Sequence, residues 1–130
     1  MTTILVDTHV LLWWSVAPDR LSPRATRAIE SADEVALAAV SFWELAWLAA
    51  HGRVRVSVPL RAWLTDLSRG VRTTALTPAI AACAAELPAT FPGDPADRLI
   101  YATALEQGWR LVTKDGRLHA HDPGGAVVLW

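Results

Sequence analysis

The stretch TILVDTH, residues 3–9, decides the fold, because a short apolar run ends there at a carboxylate. Ile4, Leu5 and Val6 have the composition of a strand that is buried on both faces, as strands of parallel sheets are. Open α/β sheets bind their ligands in the crevice beyond the carboxyl ends of the strands. Asp7 would lie at that edge, and no neighbouring residue indicates a capping task for its carboxylate.

Four more apolar runs follow, and predicted helices separate them. The predicted strands are residues 35–40, 73–76, 111–113 and 127–129. Helix starts are predicted at Ser22-Pro23, at Pro59 and at Thr77-Pro78, and Asp94 is predicted to cap the last long helix. Strands that alternate with helices indicate an α/β fold with a mostly parallel sheet of five strands.

Two local patterns predict details of this organisation. The sequence SFWE, residues 41–44, matches a capping box with Ser41 at the N-cap and Glu44 at the third helical position. Residues 114–116, Lys-Asp-Gly, are typical of a turn. His119 and His121 are accordingly predicted to lie in a loop.

Length and composition restrict the class of protein. A chain of 130 residues with 52% hydrophobic residues is predicted to form a single domain, residues 1–130, with a real core. No apolar run is long enough to span a membrane, and the N-terminus lacks the features of a signal peptide, so a cytoplasmic protein is expected. The net charge of −1 gives no overall electrostatic case for nucleic-acid binding.

Four acidic residues occupy related places along the chain. Asp7 follows the first strand and Asp115 follows the fourth, while Glu44 and Asp97 lie in the first turns of two helices. If strands one, two and four are parallel neighbours, these carboxylates converge on one edge of the sheet. Repulsion between carboxylates calls for a cation, and an all-oxygen site suits Mg²⁺ or Mn²⁺. The spacing therefore indicates an acidic metal site that would cleave phosphodiesters.

Each carboxylate except Asp7 also has a purely structural interpretation. Glu44 fits a capping box, Asp94 an N-cap, Asp97 the positive end of a helix dipole and Asp115 a turn. Only the joint pattern favours the metal site.

The chain resembles the PIN-domain nucleases, specifically the VapC toxins of bacterial type II toxin–antitoxin pairs. The similar segments are ILVDTHVLLWW, SFWELA, DPADRLIYATALEQG, LVTKD and VVLW, which follow the family's order and span nearly the whole chain. In many relatives the third acidic motif reads HRDPFDR, whereas this chain has FPGDPADR at residues 91–98. A basic pair and an aromatic residue that could touch RNA are thus missing.

This resemblance implies a three-layer α/β/α sandwich, an Mg²⁺ or Mn²⁺ site and endonucleolytic cleavage of RNA. It implies a cognate antitoxin as partner, and a homodimer is also expected, with no membrane association. By motif, the metal-binding and catalytic residues would be Asp7, Glu44, Asp97 and Asp115. Supporting roles for metal or water would fall to Asp94, Thr8, Ser41 and Thr113.

Several residues and functions stay open at this level. Arg98 and Lys114 could contact phosphate, or Arg98 could pair with a carboxylate on its own helix. Trp43 and Trp47 share a helix face that could be core or a partner surface. Two other functions are a phosphohydrolase with Asp7 as nucleophile and a non-catalytic PIN-like binding module. The intact set of four carboxylates argues against the latter.

Overall fold

Residues Thr3–Val6 form the central strand, β1, of a five-stranded sheet in the computed structural model, which describes residues 1–130. The order across the sheet is β3-β2-β1-β4-β5, and every neighbouring pair is parallel. The other strands are β2 (Glu34–Ala38), β3 (Arg72–Thr74), β4 (Arg110–Val112) and β5 (Val128–Leu129). The predicted α/β fold with a five-stranded parallel sheet is confirmed, and β1 is the parallel neighbour of both β2 and β4, which is the condition for the four carboxylates to converge.

Seven α-helices connect and cover these strands. They are α1 (Thr8–Val16), α2 (Pro23–Ser31), α3 (Ala39–Ala50), α4 (Leu60–Arg69), α5 (Pro78–Glu86), α6 (Pro95–Gln107) and α7 (Gly116–His121). A 3-10 turn spans Pro18–Arg20. No helix is long and apolar enough to cross a membrane.

Side chains alternate across β1 and so build two cores, one on each face of the sheet. Ile4 and Val6 belong to one cluster, which Val10 of α1 and Leu45 of α3 complete. Leu5, fully buried on the opposite face, packs in a second cluster with residues of α6 and α7. The result is the three-layer α/β/α sandwich, and β1 is buried on both sides.

The helix starts at Ser22, Thr77 and Asp94 are confirmed by their side-chain caps. Ser22 accepts from Ala25 N and Thr77 accepts from Ile80 N. At the other end of α6, Gly108 adopts φ 69°, a left-handed conformation that glycine takes without a steric penalty.

Two local predictions are wrong. Helix α3 begins at Ala39, directly after β2, and its N-cap Ala38 makes no side-chain cap. Ser41 therefore lies inside the helix, and the capping box does not form, because the small residues at the end of β2 let the helix start at once. Residues 116–121 form helix α7 rather than a loop, since the Asp115 side chain accepts from Arg117 N and caps it.

Candidate metal and catalytic site

The carboxyl ends of β1 and β4 place two of the predicted acidic residues side by side. Asp7 directly follows β1, is only 4% exposed, and accepts a hydrogen bond from the Thr113 hydroxyl at 2.7 Å. The same Thr113 hydroxyl accepts from Asp115 N at 3.0 Å. Because β1 and β4 are parallel neighbours, one buried threonine thus joins Asp7 to the segment that carries Asp115.

Asp7 also caps a helix, although its sequence context did not indicate this. It is the N-cap residue of α1, and its Oδ1 accepts from Thr8 N at 2.8 Å. The expectation that Asp7 caps nothing is therefore wrong, because α1 starts immediately after β1 and leaves no room for a separate capping residue. The cap uses one carboxylate oxygen and Thr113 contacts the other.

Glu44 joins the site through Thr8. The Thr8 hydroxyl donates to Glu44 Oε1 and lies 2.9 Å from the Ser41 hydroxyl, which is fully buried. Burial raises the pKa of Glu44, the bond from Thr8 opposes that rise, and the charges of Asp7 and Asp94 add to it. Glu44 therefore points at the acidic site instead of capping its own helix.

Asp97 and Asp115 meet at a guanidinium. Arg117 Nη2 donates to Asp97 Oδ2 and to Asp115 Oδ2, each at 2.9 Å. Asp94 is the N-cap of α6 and accepts from Asp97 N and Ala96 N. With Arg117 as the link between Asp115 and Asp97, the eight predicted site residues form one connected group. It runs from Glu44 and Ser41 through Thr8, Asp7 and Thr113 to Asp115, and then by way of Arg117 to Asp97 and Asp94.

The electrostatics of this group are strongly negative. Burial raises the pKa of Asp97 to about 7, with further rises caused by Asp94 and Asp7, and Arg117 only partly compensates. Hydrogen bonds from Arg117 lower the pKa of Asp115. The cluster is short of positive charge, which suits an oxygen-binding divalent cation.

The donor chemistry fits such a cation, but the side chains would have to rearrange to bind it. As they stand, no group of three or more His, Cys, Asp or Glu side chains could hold a metal ion. Arg117 engages Asp97 and Asp115, and Thr8 engages Glu44, so these carboxylates face hydrogen-bond donors instead of one common point. The metal site therefore stays a prediction.

The raised pKa of Asp97 predicts how stability depends on pH without metal. Its pKa when folded, about 7, lies above the ordinary value of 3.8, so the folded protein binds more protons across that window. The contribution of Asp97 to the free energy of unfolding should consequently fall as the pH rises from 4 to 8. Asp97→Asn should remove part of this slope and stabilise the metal-free protein at pH 8 by about 2 kcal/mol.

Chemical denaturation at pH 4 and pH 8, in EDTA, measures this difference. Asp66→Asn is the control, since Asp66 is an exposed aspartate that pairs only with Arg69. An Asp97→Asn variant whose free energy of unfolding changes between pH 4 and 8 as the wild type's does, or that is less stable than the wild type at pH 8, would contradict the prediction.

Arg98 lies beside the site but does not face it. Its guanidinium donates to five backbone carbonyls at 3.1–3.4 Å, those of Ala84, Leu87, Pro88, Phe91 and Pro92. The expected pair with a carboxylate on its own helix is wrong, and the phosphate contact stays a prediction that these five bonds disfavour. These carbonyls belong to the C-terminal part of α5 and to the segment before α6, where Arg98 supplies donors to backbone acceptors; Pro88 O also accepts from Phe91 N.

Arg117 and His9, for which no role follows from the sequence, also contact the site. Helix α7, which was not predicted, brings Arg117 to Asp97. His9 accepts from Lys114 N at 3.1 Å, and its Nδ1 lies 3.8 Å from Asp7 Oδ2. Burial lowers the pKa of His9 although Asp7 and Asp115 oppose that change.

Trp43 and Trp47 lie outside the core. Their exposed fractions are 62% and 40%, and together with Glu44 and Leu48 they line a shallow pocket on α3. Core packing is therefore the wrong interpretation for Trp43. This apolar face adjoins the acidic site through Glu44.

Comparisons with known proteins agree with this architecture. Residues 4–122 match the family model of the PIN domain. The chain is 57% identical to Ribonuclease VapC22 of Mycobacterium tuberculosis over 130 residues, the whole of both chains.

Solved structures share the fold at low sequence identity. A toxin–antitoxin complex from Klebsiella pneumoniae aligns with a TM-score of 0.69 at 20% identity, covering 98% of this chain and 96% of the other. VapBC2 from Rickettsia felis, bound to a promoter DNA fragment, aligns with a TM-score of 0.71 at 12% identity, covering 98% of each chain. The chain belongs to the PIN-domain family, among its VapC members.

Proposed function

We propose that this chain is the toxin of a type II toxin–antitoxin pair and a metal-dependent endoribonuclease that hydrolyses RNA phosphodiester bonds. The observation that carries the proposal is the hydrogen-bonded group that joins Asp7, Glu44, Asp97 and Asp115 at the carboxyl edge of the sheet. The relative named as a ribonuclease is 57% identical over the full length, which supports RNA as substrate.

The four carboxylates are proposed to hold Mg²⁺, with Mn²⁺ as an alternative. Such a cation supplies an activated water and stabilises the leaving oxygen of a phosphodiester. Hard oxygen donors and the absence of a histidine–cysteine set favour these ions over zinc. Asp94, Thr8, Ser41 and Thr113 would then be the polar support that orients the ligands.

The hydrogen bonds define what each protein group contributes. Thr113 and Thr8 N fix the two oxygens of Asp7, so its carboxylate is oriented before any ligand arrives. Thr8 fixes Glu44 in the same way. Asp97, with its pKa raised to about 7, can gain or lose a proton near neutral pH. Preorientation of this kind lowers the cost of arranging the charged groups during the reaction.

The phosphohydrolase alternative receives less support. That chemistry often pairs two aspartates two residues apart at the end of the first strand, whereas this chain has His9 two residues after Asp7. The four carboxylates also stay together, which a purely binding module would not require. RNA hydrolysis therefore remains the proposed activity.

An antitoxin is the proposed protein partner. The related solved structures are described as toxin–antitoxin complexes, and the exposed apolar face of Trp43 and Trp47 offers a surface for a partner chain. Exposed aromatic patches of this kind are typical of protein interfaces. A homodimer stays a further prediction for the same chain.

Incubation of purified protein with total RNA, followed by sequencing of the new ends, tests the proposed activity. Cleavage should require Mg²⁺ or Mn²⁺, stop in EDTA and fall at least about a hundredfold in Asp97→Asn, because one ligand of the metal and its charge are lost. Asp66→Asn should cut like the wild type. Equal cleavage by Asp97→Asn, or cleavage that persists in EDTA, would refute the proposal.

A further inference from the structure

Arg117 supplies the positive charge nearest to the acidic group, and it comes from the chain itself. One nitrogen, Nη2, donates to Asp97 Oδ2 and Asp115 Oδ2 at 2.9 Å each, and Nε donates to Asp115 Oδ1 at 3.2 Å. The backbone N of Arg117 donates to the same Asp115 Oδ1 at 2.9 Å. A single guanidinium thus bridges the helix α6 and the segment after β4.

This guanidinium uses the oxygens that a metal would need. Asp97 and Asp115 are two of the four proposed metal ligands, and the Oδ2 atom of each faces Arg117 Nη2. An Oδ2 atom that turns toward a cation shared with Asp7 and Glu44 weakens its bond to the guanidinium. Arg117 and a bound divalent ion are therefore competing partners of the same carboxylates.

We propose that Arg117 is a resident counter-cation that holds Asp97 and Asp115 in the metal-free protein and is displaced when a divalent metal binds. The inference rests on the proposed metal site and goes beyond it, because it gives Arg117 a role in the site before a metal ion binds. It also explains why no three carboxylates converge as they stand.

The surroundings of Arg117 allow such a displacement. Its side chain is 62% exposed, whereas those of Asp97 and Asp115 are 13% and 18% exposed, so the arginine can leave without opening the core. On its other side Arg117 borders an open cavity that is also lined by Thr90, Pro92, Ala120, His121 and Pro123. This cavity gives the long side chain a place to turn.

Charge favours the metal in this exchange. Nη2 of Arg117 is shared between two carboxylates, so one positive charge faces the negative charges of both Asp97 and Asp115. A divalent ion brings twice that charge to the same carboxylates. Its binding free energy must offset the loss of the Arg117 contacts, and removing the arginine should therefore tighten metal binding.

Calorimetric titration with Mn²⁺ and melting of the metal-free protein in EDTA test the proposal. Arg117→Gln should melt lower without metal, because Asp97 and Asp115 then repel each other unscreened, and should bind Mn²⁺ about tenfold more tightly. Arg117→Lys keeps the positive charge but has fewer donors. Its melting temperature and its Mn²⁺ affinity should therefore lie between those of the wild type and Arg117→Gln. Arg69→Gln is the matched control, an exposed arginine paired with one aspartate elsewhere.

A second readout follows the arginine directly. The Nε–H resonance of Arg117, assigned by its loss in Arg117→Lys, should be protected from exchange in the metal-free protein and lose that protection when Mg²⁺ is added. Protection that persists at saturating Mg²⁺ would overturn the proposal, as would an Arg117→Gln protein that binds Mn²⁺ with unchanged or weaker affinity.

The outcomes separate this inference from the metal site itself. Binding of Mn²⁺ by the wild type with no change in Arg117→Gln overturns the inference alone. Failure of both proteins to bind Mn²⁺ overturns the metal site and the inference together. An unchanged melting temperature of metal-free Arg117→Gln contradicts the counter-cation role whether or not metal binds.

Discussion

Replacement of Asp7 by asparagine is expected to lower RNA cleavage about a thousandfold or more, which corresponds to the several kcal/mol that a correctly held metal contributes to the transition state. Asp7 lies at the end of the central strand, is 4% exposed, and has each oxygen oriented by a hydrogen bond. Asparagine keeps the shape and can keep the α1 cap, but it loses the charge.

The measurement is single-turnover cleavage of a defined RNA together with a thermal melt of each protein. Thr113→Val should give a smaller loss, because it frees Asp7 Oδ2 without removing the charge. An Asp7→Asn protein that melts like the wild type yet cleaves RNA at a comparable rate would exclude Asp7 from the metal site. A large drop in melting temperature would instead identify the carboxylate mainly as a cap.

Replacement of Arg98 by alanine is expected to destabilise the protein by about 3 kcal/mol, because the variant leaves backbone carbonyls without their charged donor. Arg98 joins the end of α5, the loop that follows and the start of α6 through five carbonyl contacts. That loop ends at Asp94, the N-cap of α6, so its disorder should also loosen the helix that carries Asp97.

Urea denaturation of the metal-free protein measures the loss. Arg98→Lys should recover only part of the lost stability. A lysine ammonium has three donors on one atom and cannot contact all the carbonyls that the planar guanidinium of Arg98 reaches. Arg69→Ala, at an exposed and singly paired arginine, should change stability by less than about 0.5 kcal/mol. Equal stability of Arg98→Ala and the wild type would show that the carbonyls find water instead.

The sequence predicted the sheet and the four carboxylates because both depend on short local patterns. An apolar run followed by an acidic residue identifies a buried parallel strand and its carboxyl end. Parallel pairing of strands one, two and four then requires Asp7 and Asp115 to meet. Which strands are neighbours does not follow from these patterns and entered only as a condition, which the order β3-β2-β1-β4-β5 meets.

The local errors share one physical cause. Capping patterns were assigned where the residue types allowed them, but the distance between a strand and its helix decides which residue caps. Helices α1 and α3 both begin directly after a strand. Asp7 therefore caps α1, which was not expected. Ser41, the expected N-cap of α3, lies inside that helix.

Arg98 and Arg117 could not be assigned from sequence, since the partner of a long charged side chain depends on tertiary structure. Arg98 binds carbonyls from a loop that precedes its helix, and Arg117 bridges carboxylates twenty and two residues away. Helical periodicity predicts contacts between residues three or four apart and therefore predicts neither set of partners. The metal itself likewise stays a prediction. The carboxylates indicate which kind of ion would suit the site, but they do not show that an ion is bound.

The contact between Thr113 and Asp7 joins residues 106 positions apart. A chain synthesised only as far as α6 has Asp7, Glu44 and Asp97 but lacks Thr113 and Asp115. Strand β4 must be made and must pair with β1 before Thr113 can orient the Asp7 carboxylate. Completion of the acidic site is therefore coupled to closure of the sheet.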